Sequence, residues 1–310
     1  MFSIPDSHAI VALALAEDLG VAPERFVPGA PASPDVLQRD ATSAAVLSDS
    51  AVFRGVVRVR QDAVVAGLPV VAQVFETISA AAGLAEPIEV FPLVAEGSRV
   101  APGTAVIEVR GPALPVLIAE RTALDFLMLL SGIATETSRW VEIAAGRVAV
   151  CDTRKTSPGL RALSKYAVAV GGGMNHREGL FDMVLVKDNH IRAAGGITAA
   201  VAASRSAHPD LLLEVEADTA EQALEAVTAG ADLVLLDNFD DASLGVLVPH
   251  LREAAEKRDT SVVLEASGGI TRERLGAIAA TGVDRVSTSA LTLGVSVVDF
   301  GFDERSAGTL

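Results

Sequence analysis

Cysteine occurs once in the 310 residues, at Cys151, so no internal disulfide can form. Aromatic side chains make up only 4% of the chain, and its apolar half comes mostly from Ala, Val and Leu. With abundant Gly, that composition suits a folded α/β protein and argues against disorder. No apolar run approaches the roughly 20 residues that a membrane-spanning helix requires. The first residues lack a basic segment leading into an apolar core, and Asp6, Glu17 and Asp18 come early, so a secretory leader is not expected. Together with the lone cysteine this makes a reducing cytoplasm the expected location. Positive charge is also short: 25 Lys and Arg stand against 40 Asp and Glu, a net charge of −15. General binding to nucleic acid or to an anionic membrane is therefore disfavoured. A Ser/His/Asp triad, Cys/His zinc spacing, a Walker loop and a GxGxxG motif are all missing.

One window runs against the overall charge. Between Asp152 and His190 six Lys/Arg (Arg154, Lys155, Arg161, Lys165, Arg177, Lys187) face four acids, while the rest holds 19 bases and 36 acids. A basic island in an acidic chain points to a small anionic ligand, and a solvated charged face would look the same from charge alone.

The first 110 residues differ in rhythm from the remainder. A helical segment, His8 to Leu19, leads into a Pro/Ala-rich loop from Val27 to Pro34. Short Val-rich runs follow at 52–59, 64–66 and 105–110, separated by Gly and Pro and interrupted by a helix over 69–82. This reads as a small α+β domain with an open-faced antiparallel sheet. A long amphipathic helix is expected over 116–145. Beyond it, short apolar strands near 148–151, 183–186, 211–215, 233–236, 262–264 and 283–286 alternate with helices, the pattern of a parallel sheet.

Each of these strands ends in a polar cluster: CDTRKT, LVKDNH, LEVEAD, LLDNF, LEASGGI and RVSTS. Barrels and open doubly wound sheets both place ligands at strand C-termini, so the clusters identify the edge that carries chemistry without separating the two folds. Arg154 offers a planar fork for a carboxylate and Lys155 a compact charge. His176 and Arg177 close a glycine-rich loop that starts at Gly171, and Lys187 ends a strand. Glu216 and Asp237 suit Mg²⁺ or sugar hydroxyls, or else pair with the nearby cations. Glu214 shares the face of Glu216 and is either a second ligand or a partner for Lys187. His190, like most isolated histidines, reads as structural. Ser267-Gly268-Gly269 before a helix and the loop around Ser289 offer N–H groups and hydroxyls for a phosphate.

DTRKTSPGLR, GGGMNHREGLFDMVLVKDNH, LEVEAD, LLDNF and EASGGI, with the helix motif around Glu120-Arg121 and Leu130 to Thr135, resemble the quinolinate phosphoribosyltransferase family. The resemblance runs from about Glu17 to Phe300. It implies an irregular, incomplete β/α barrel over residues 115–289 and an N-terminal α+β open-faced sandwich domain over 1–114, with 290–310 packing back on the latter. It implies phosphoribosyl transfer from phosphoribosyl pyrophosphate to quinolinate with decarboxylation, a step of NAD biosynthesis, with Mg²⁺ as cofactor. Arg154, Lys155, His176, Arg177 and Lys187 would hold quinolinate, and Arg121 would reach in from the second copy of a homodimer, or of a higher oligomer. Lys155, Lys187, Glu216 and Asp237 would be the catalytic set, with the two acids serving the metal and the ribose. Ser267, Gly268, Gly269 and Ser289 would bind the 5′-phosphate. The family has Gly where Ser289 stands and His-Ser where Leu293-Gly294 stand. A paralogue using another pyridine carboxylate or donor, and a non-catalytic ligand-binding relative, are the alternatives.

Overall fold

A computed structural model describes residues 5–304. The part of the expected C-terminal packing that falls on 305–310 lies outside the described residues. The elements in chain order are α1 (His8–Leu19), α2 (Ala41–Val46), β1 (Val52–Val59), β2 (Ala63–Val64), α3 (Leu68–Ala82), β3 (Glu89–Pro92), β4 (Arg99–Val100), β5 (Ala105–Pro112) and α4 (Ala113–Ala144). There follow β6 (Ala149–Cys151), α5 (Arg161–Val170), β7 (Val184–Val186), α6 (Asp188–Ala194), α7 (Ile197–Ala207), β8 (Leu213–Ala217) and α8 (Ala220–Ala229). The chain continues through β9 (Leu233–Asp237), α9 (Asp241–Glu256), β10 (Val263–Ser267), α10 (Arg272–Ala280), β11 (Arg285–Ser287) and β12 (Phe300–Glu304).

Two compact units result. The described part of the first covers residues 5–136, 158–171 and 295–304. Its antiparallel sheet has the order β12-β1-β5-β3. Alternation is broken in β1 by a bulge between Val57 and Arg58, so Gly55, Val56 and Val57 are buried in succession. Val56, Val57, Val59, Val106, Ile107 and Val109 of the sheet and Val70, Val71, Val74, Phe75 and Ile78 of α3 are buried. Helix α3 starts where the Glu96 carboxylate accepts the N–H groups of Gly67 and Leu68, at 2.6 and 3.0 Å. That side chain supplies the acceptors a helix N-terminus lacks. No described helix is long and apolar enough to cross a membrane.

The second unit covers 137–157 and 172–294. Its six strands are parallel in the order β6-β11-β10-β9-β8-β7. That order settles the choice the sequence left open. In a doubly wound sheet the first strand lies inside and the order reverses around it. Here β6 pairs with the last strand, β11, and the others run in sequence, which is the circuit of a barrel. The circuit is incomplete between β6 and β7, where Met174 alone forms a parallel bridge with Cys151. The fold is thus an irregular β/α barrel with a separate antiparallel unit. Helices α7, α8, α9 and α10 follow strands as the apolar periodicity predicts. Helix α5 does not appear in the sequence reading, and it carries Arg161 and Lys165 into the first unit.

Candidate active site

A cavity of about 270 Å³ opens at the C-terminal ends of the barrel strands. Thr153, Arg154 and Lys155 line it after β6, followed by His176 and Arg177, then Lys187 at the end of β7. Glu216 on β8, Asp237 on β9, Ser267 on β10 and Ser287 on β11 complete the rim, with Leu185, Leu235 and Glu265 one layer deeper. The basic island is therefore only partly a site. Arg161 and Lys165, counted in it from the sequence, do not line the cavity, because an amphipathic helix carries them away.

The cations that do line it are poorly neutralised. Lys187 Nζ pairs with Glu216. Arg177 donates through Nη1 to the Met183 carbonyl at 3.2 Å. The Nε atoms of Arg154 and Arg177 are buried without a hydrogen-bond partner. Burial, and then the neighbouring charge of Arg154, pulls the pKa of Arg177 below its ordinary value. Crowded guanidiniums with unused donors describe a receptor for carboxylates.

Below this wall lies a buried ionic network. Register places Arg285 beside Glu265, and the two-residue period puts Glu214, Glu265 and Arg285 on the same strand faces as Glu216, Ser267 and Ser287, each one step nearer its strand's start. Glu214 and Glu265 are fully buried. Arg285 reaches Glu214 Oε1 with Nη2 at 3.2 Å and meets Glu265 with Nε. The other oxygen of Glu214 faces His176 Nε2 at 2.8 Å. Burial would raise the Glu214 pKa, but the contacts with His176 and Arg285 hold it below the ordinary value. Burial and the adjacent Glu214 charge push Glu265 the other way. Glu214 is therefore neither a partner for Lys187, as the sequence suggested, nor free to bind a metal beside Glu216; it serves the interior. His176, Glu214 and Glu265 have ligand atoms within 4.8 Å of one another, but Arg285 already brings the positive charge there.

His176 also has its second nitrogen occupied. Its Nδ1 accepts the N–H of Arg177 at 2.8 Å, while the buried Asp152 carboxylate accepts the N–H of His176 itself at 2.9 Å. The ring lines the cavity with both nitrogens engaged within the protein. His190 has the structural part expected of it, since its Nδ1 accepts the Lys187 N–H at 2.9 Å at the start of α6. Lys155 is held from two sides: its N–H donates to Thr153 Oγ1 at 3.0 Å, and its carbonyl accepts from Thr292 Oγ1 at 2.7 Å.

The remaining candidates are more dispersed. Ser267 lines the cavity, whereas Gly268, Gly269 and Ser289 follow in the loops beyond it. Gly268 is required by shape: its φ is +81°, and a Cβ there would lie 2.2 Å from Asn238 Oδ1. Ser289 opens a short 3₁₀ turn, Ser289–Leu291, capped by the Thr288 hydroxyl, and Leu293 is exposed. Arg121 lies on α4 in the first unit, exposed and 3.3 Å from Asp125. Asp152, Glu265, Arg285 and Thr292 were not singled out from the sequence. Period-two spacing from the strand ends was the available signal for Glu265 and Arg285.

Known proteins match this arrangement over nearly its whole length. Residues 40–131 match the family model described as quinolinate phosphoribosyl transferase, N-terminal domain, and residues 133–303 match the C-terminal domain of the same family. The chain belongs to the quinolinate phosphoribosyltransferase family. It is 40% identical over 268 residues to the nicotinate-nucleotide pyrophosphorylase [carboxylating] of Mycobacterium leprae, covering 85% of this chain and 90% of that protein. The human protein of the same name is 44% identical over 209 residues, 66% of this chain and 69% of its own. The solved nicotinate-nucleotide pyrophosphorylase from Francisella tularensis superposes with a TM-score of 0.82 at 32% identity, covering 98% of each chain. The family resemblance read from the DTRKT and GGGMNHR blocks is thus borne out.

Proposed function

We propose that the chain is a pentosyltransferase that moves the phosphoribosyl group of phosphoribosyl pyrophosphate onto quinolinate, releasing pyrophosphate and CO₂ and leaving nicotinate mononucleotide. The observation that carries this reading is the group of four cavity-lining cations, Arg154, Lys155, Arg177 and Lys187, with unused guanidinium donors. They suit an acceptor with two adjacent carboxylates. Membership of the family supplies the reaction.

The chemistry is positioning and charge compensation. The cations hold the pyridine dicarboxylate so that its ring nitrogen faces the ribose. The bond from the anomeric carbon to pyrophosphate breaks as the bond to nitrogen forms. The resulting pyridinium then accepts the electron pair of the departing carboxylate, and a proton takes the place of CO₂ on the ring carbon. Glu216 and Asp237 line the cavity from neighbouring strands. Two carboxylates completed by substrate phosphates are a donor set that Mg²⁺ accepts, and the bound ion would compensate charge on the leaving pyrophosphate. Asp237 accepts a hydrogen bond from Asn238 at 2.7 Å, and Glu216, now paired with Lys187, would be the second residue to hold the metal or the ribose. Ser267 and the glycines after it face the donor's 5′-phosphate. The working unit is a homodimer in which Arg121 of one copy approaches the cavity of the other.

Incubation with Mg²⁺ and phosphoribosyl pyrophosphate, and with either quinolinate or nicotinate, tests this directly. Nucleotide and CO₂ from quinolinate alone are expected; product from nicotinate, or from neither acid, would reject the assignment. Arg121→Ala and Arg177→Ala proteins, mixed and allowed to exchange subunits, should regain activity that neither has alone. No recovery despite exchange would remove Arg121 from the partner's site.

A further inference from the structure

Arg285 stands behind the cationic wall without joining it. Its side chain is 14% exposed, and it does not line the cavity. We propose that Arg285 is a positioning residue for acceptor binding: through Glu214 it fixes the ring of His176, and through that ring the orientation of Arg177. The contacts form one chain. Arg285 Nη2 donates to Glu214 Oε1 at 3.2 Å, Glu214 Oε2 lies 2.8 Å from His176 Nε2, and the Arg177 N–H donates to His176 Nδ1 at 2.8 Å.

Each link has a physical reason. Two carboxylates on β8 and β10 are fully buried, and buried charge persists only when it is paired. The guanidinium fork meets both, Glu214 with Nη2 and Glu265 with Nε, which a point-like ammonium cannot reproduce. With one oxygen held by Arg285, Glu214 turns the other toward His176. Its imidazole then carries its proton on Nε2 and presents a bare Nδ1 to the Arg177 N–H. Asp152 clamps the main chain of His176 on the opposite side, so the residue that aims Arg177 is fixed at both backbone and ring. Glu265 at 3.6 Å from Nε2, Asp152, Arg177 and, one contact further, Arg285 lie among the charged groups around the ring. Asp237 and Ser267, on the cavity rim, take no part in these contacts. Loosening Arg285 therefore acts on the acceptor and spares the donor. This rests on the assignment of the four cations to acceptor binding.

The decisive variant is the double substitution Arg285→Met with Glu265→Gln, which removes the guanidinium together with the second acid it meets and leaves Glu214 without that partner. Steady-state kinetics should show the KM for quinolinate raised roughly 10- to 100-fold, as expected when a binding group is slightly misplaced. The KM for phosphoribosyl pyrophosphate and kcat should stay within about twofold. Arg285→Lys should recover part of the loss. A quinolinate KM within twofold of wild type, or a loss confined to kcat, would overturn the proposal. Nitrogen-15 spectra of His176 in the unaltered protein give an independent check: a neutral ring protonated at Nε2 is expected, and protonation at Nδ1 alone would break the chain of contacts. That spectrum does not depend on turnover, so failure of the quinolinate assay and failure of the Arg285 relay are separate results.

Discussion

The four-stranded and six-stranded sheets each carry an arginine–glutamate contact between strands, and the two contacts do opposite jobs. In the first unit Arg54 of β1 reaches Glu108 of β5 with its side chain 51% exposed. In the second unit Arg285 of β11 faces Glu265 of β10 with the carboxylate fully buried. Water reaches the half-exposed Arg54 of the first pair and screens it, with Glu108 13% exposed. The second is isolated from water, where leaving one partner alone is costly and replacing the pair by apolar residues is often not. A barrel that only had to fold would fill this layer with aliphatic side chains, as β9 does with Leu233 and Leu235. Charge retained inside the barrel beneath the cavity therefore marks the residues that set up binding.

The largest expected effect strikes the wall that network supports. Arg177→Ala should lower kcat/KM for quinolinate by roughly 10²- to 10³-fold, the usual cost of truncating one partner of a buried charge contact. Steady-state kinetics beside a thermal melt would measure it; near-normal activity would mean that the wall does not grip the acceptor.

Within the network the two glutamates should respond unequally. Glu214→Gln should cost about 3 kcal/mol in urea unfolding, because it strips the charge that both Arg285 and His176 face. Glu265→Gln should cost less than about 1 kcal/mol, since burial and the Glu214 charge already favour its neutral form. The signs differ with pH as well. Glu214, with its folded pKa lowered, contributes above the unfolded value and loses that contribution as pH falls through the folded one. Glu265, with its folded pKa raised, contributes fully below the unfolded value and loses it as pH rises through the folded one. Equal costs at pH 7 would show that the two acids share the charge evenly.

The exposed counterpart sets the lower end of the comparison. Arg54→Ala should change stability by no more than about 0.5 kcal/mol, as a surface pair does, and a larger loss in urea unfolding would erase the contrast between the sheets. Smallest of all is the expected response of Cys151. Burial, and next the charge of Glu265, pushes its thiol up to about 12. An aromatic disulfide reagent at pH 8 should leave the native protein unlabelled and react fully only after unfolding.

Much of the architecture was legible because its signals are local. The bounds of His8–Leu19 and Val52–Val59 agree with the sequence reading, since apolar period and Gly/Pro punctuation act within a few residues. Strand β8 lies two residues later than expected, at Leu213–Ala217, because apolar Leu211 and Leu212 extend the run ahead of the paired residues. Helix α5 was hidden by its own charges: Arg161 and Lys165 continue a basic loop in sequence, and only a helical turn separates them from it. Strand β12 escaped notice because Phe300–Glu304 holds one Gly and two acids, and it becomes a strand by pairing with β1.

Composition and spacing by themselves determined that this chain alternates strand and helix, that its chemistry gathers at the strand C-termini, and that DTRKT, GGGMNHR and KDNH bring cations to that edge. Those are consequences of short-range order, which the chain states residue by residue. Tertiary structure alone decided that the sheet closes from β6 onto β11, that Glu214 answers to His176 and Arg285 and not to Lys187, and that two of the six basic residues leave the site. Each of these depends on which strands become neighbours. A buried charge takes its partner from across the barrel, from residues tens of positions away, and linear spacing carries no record of that.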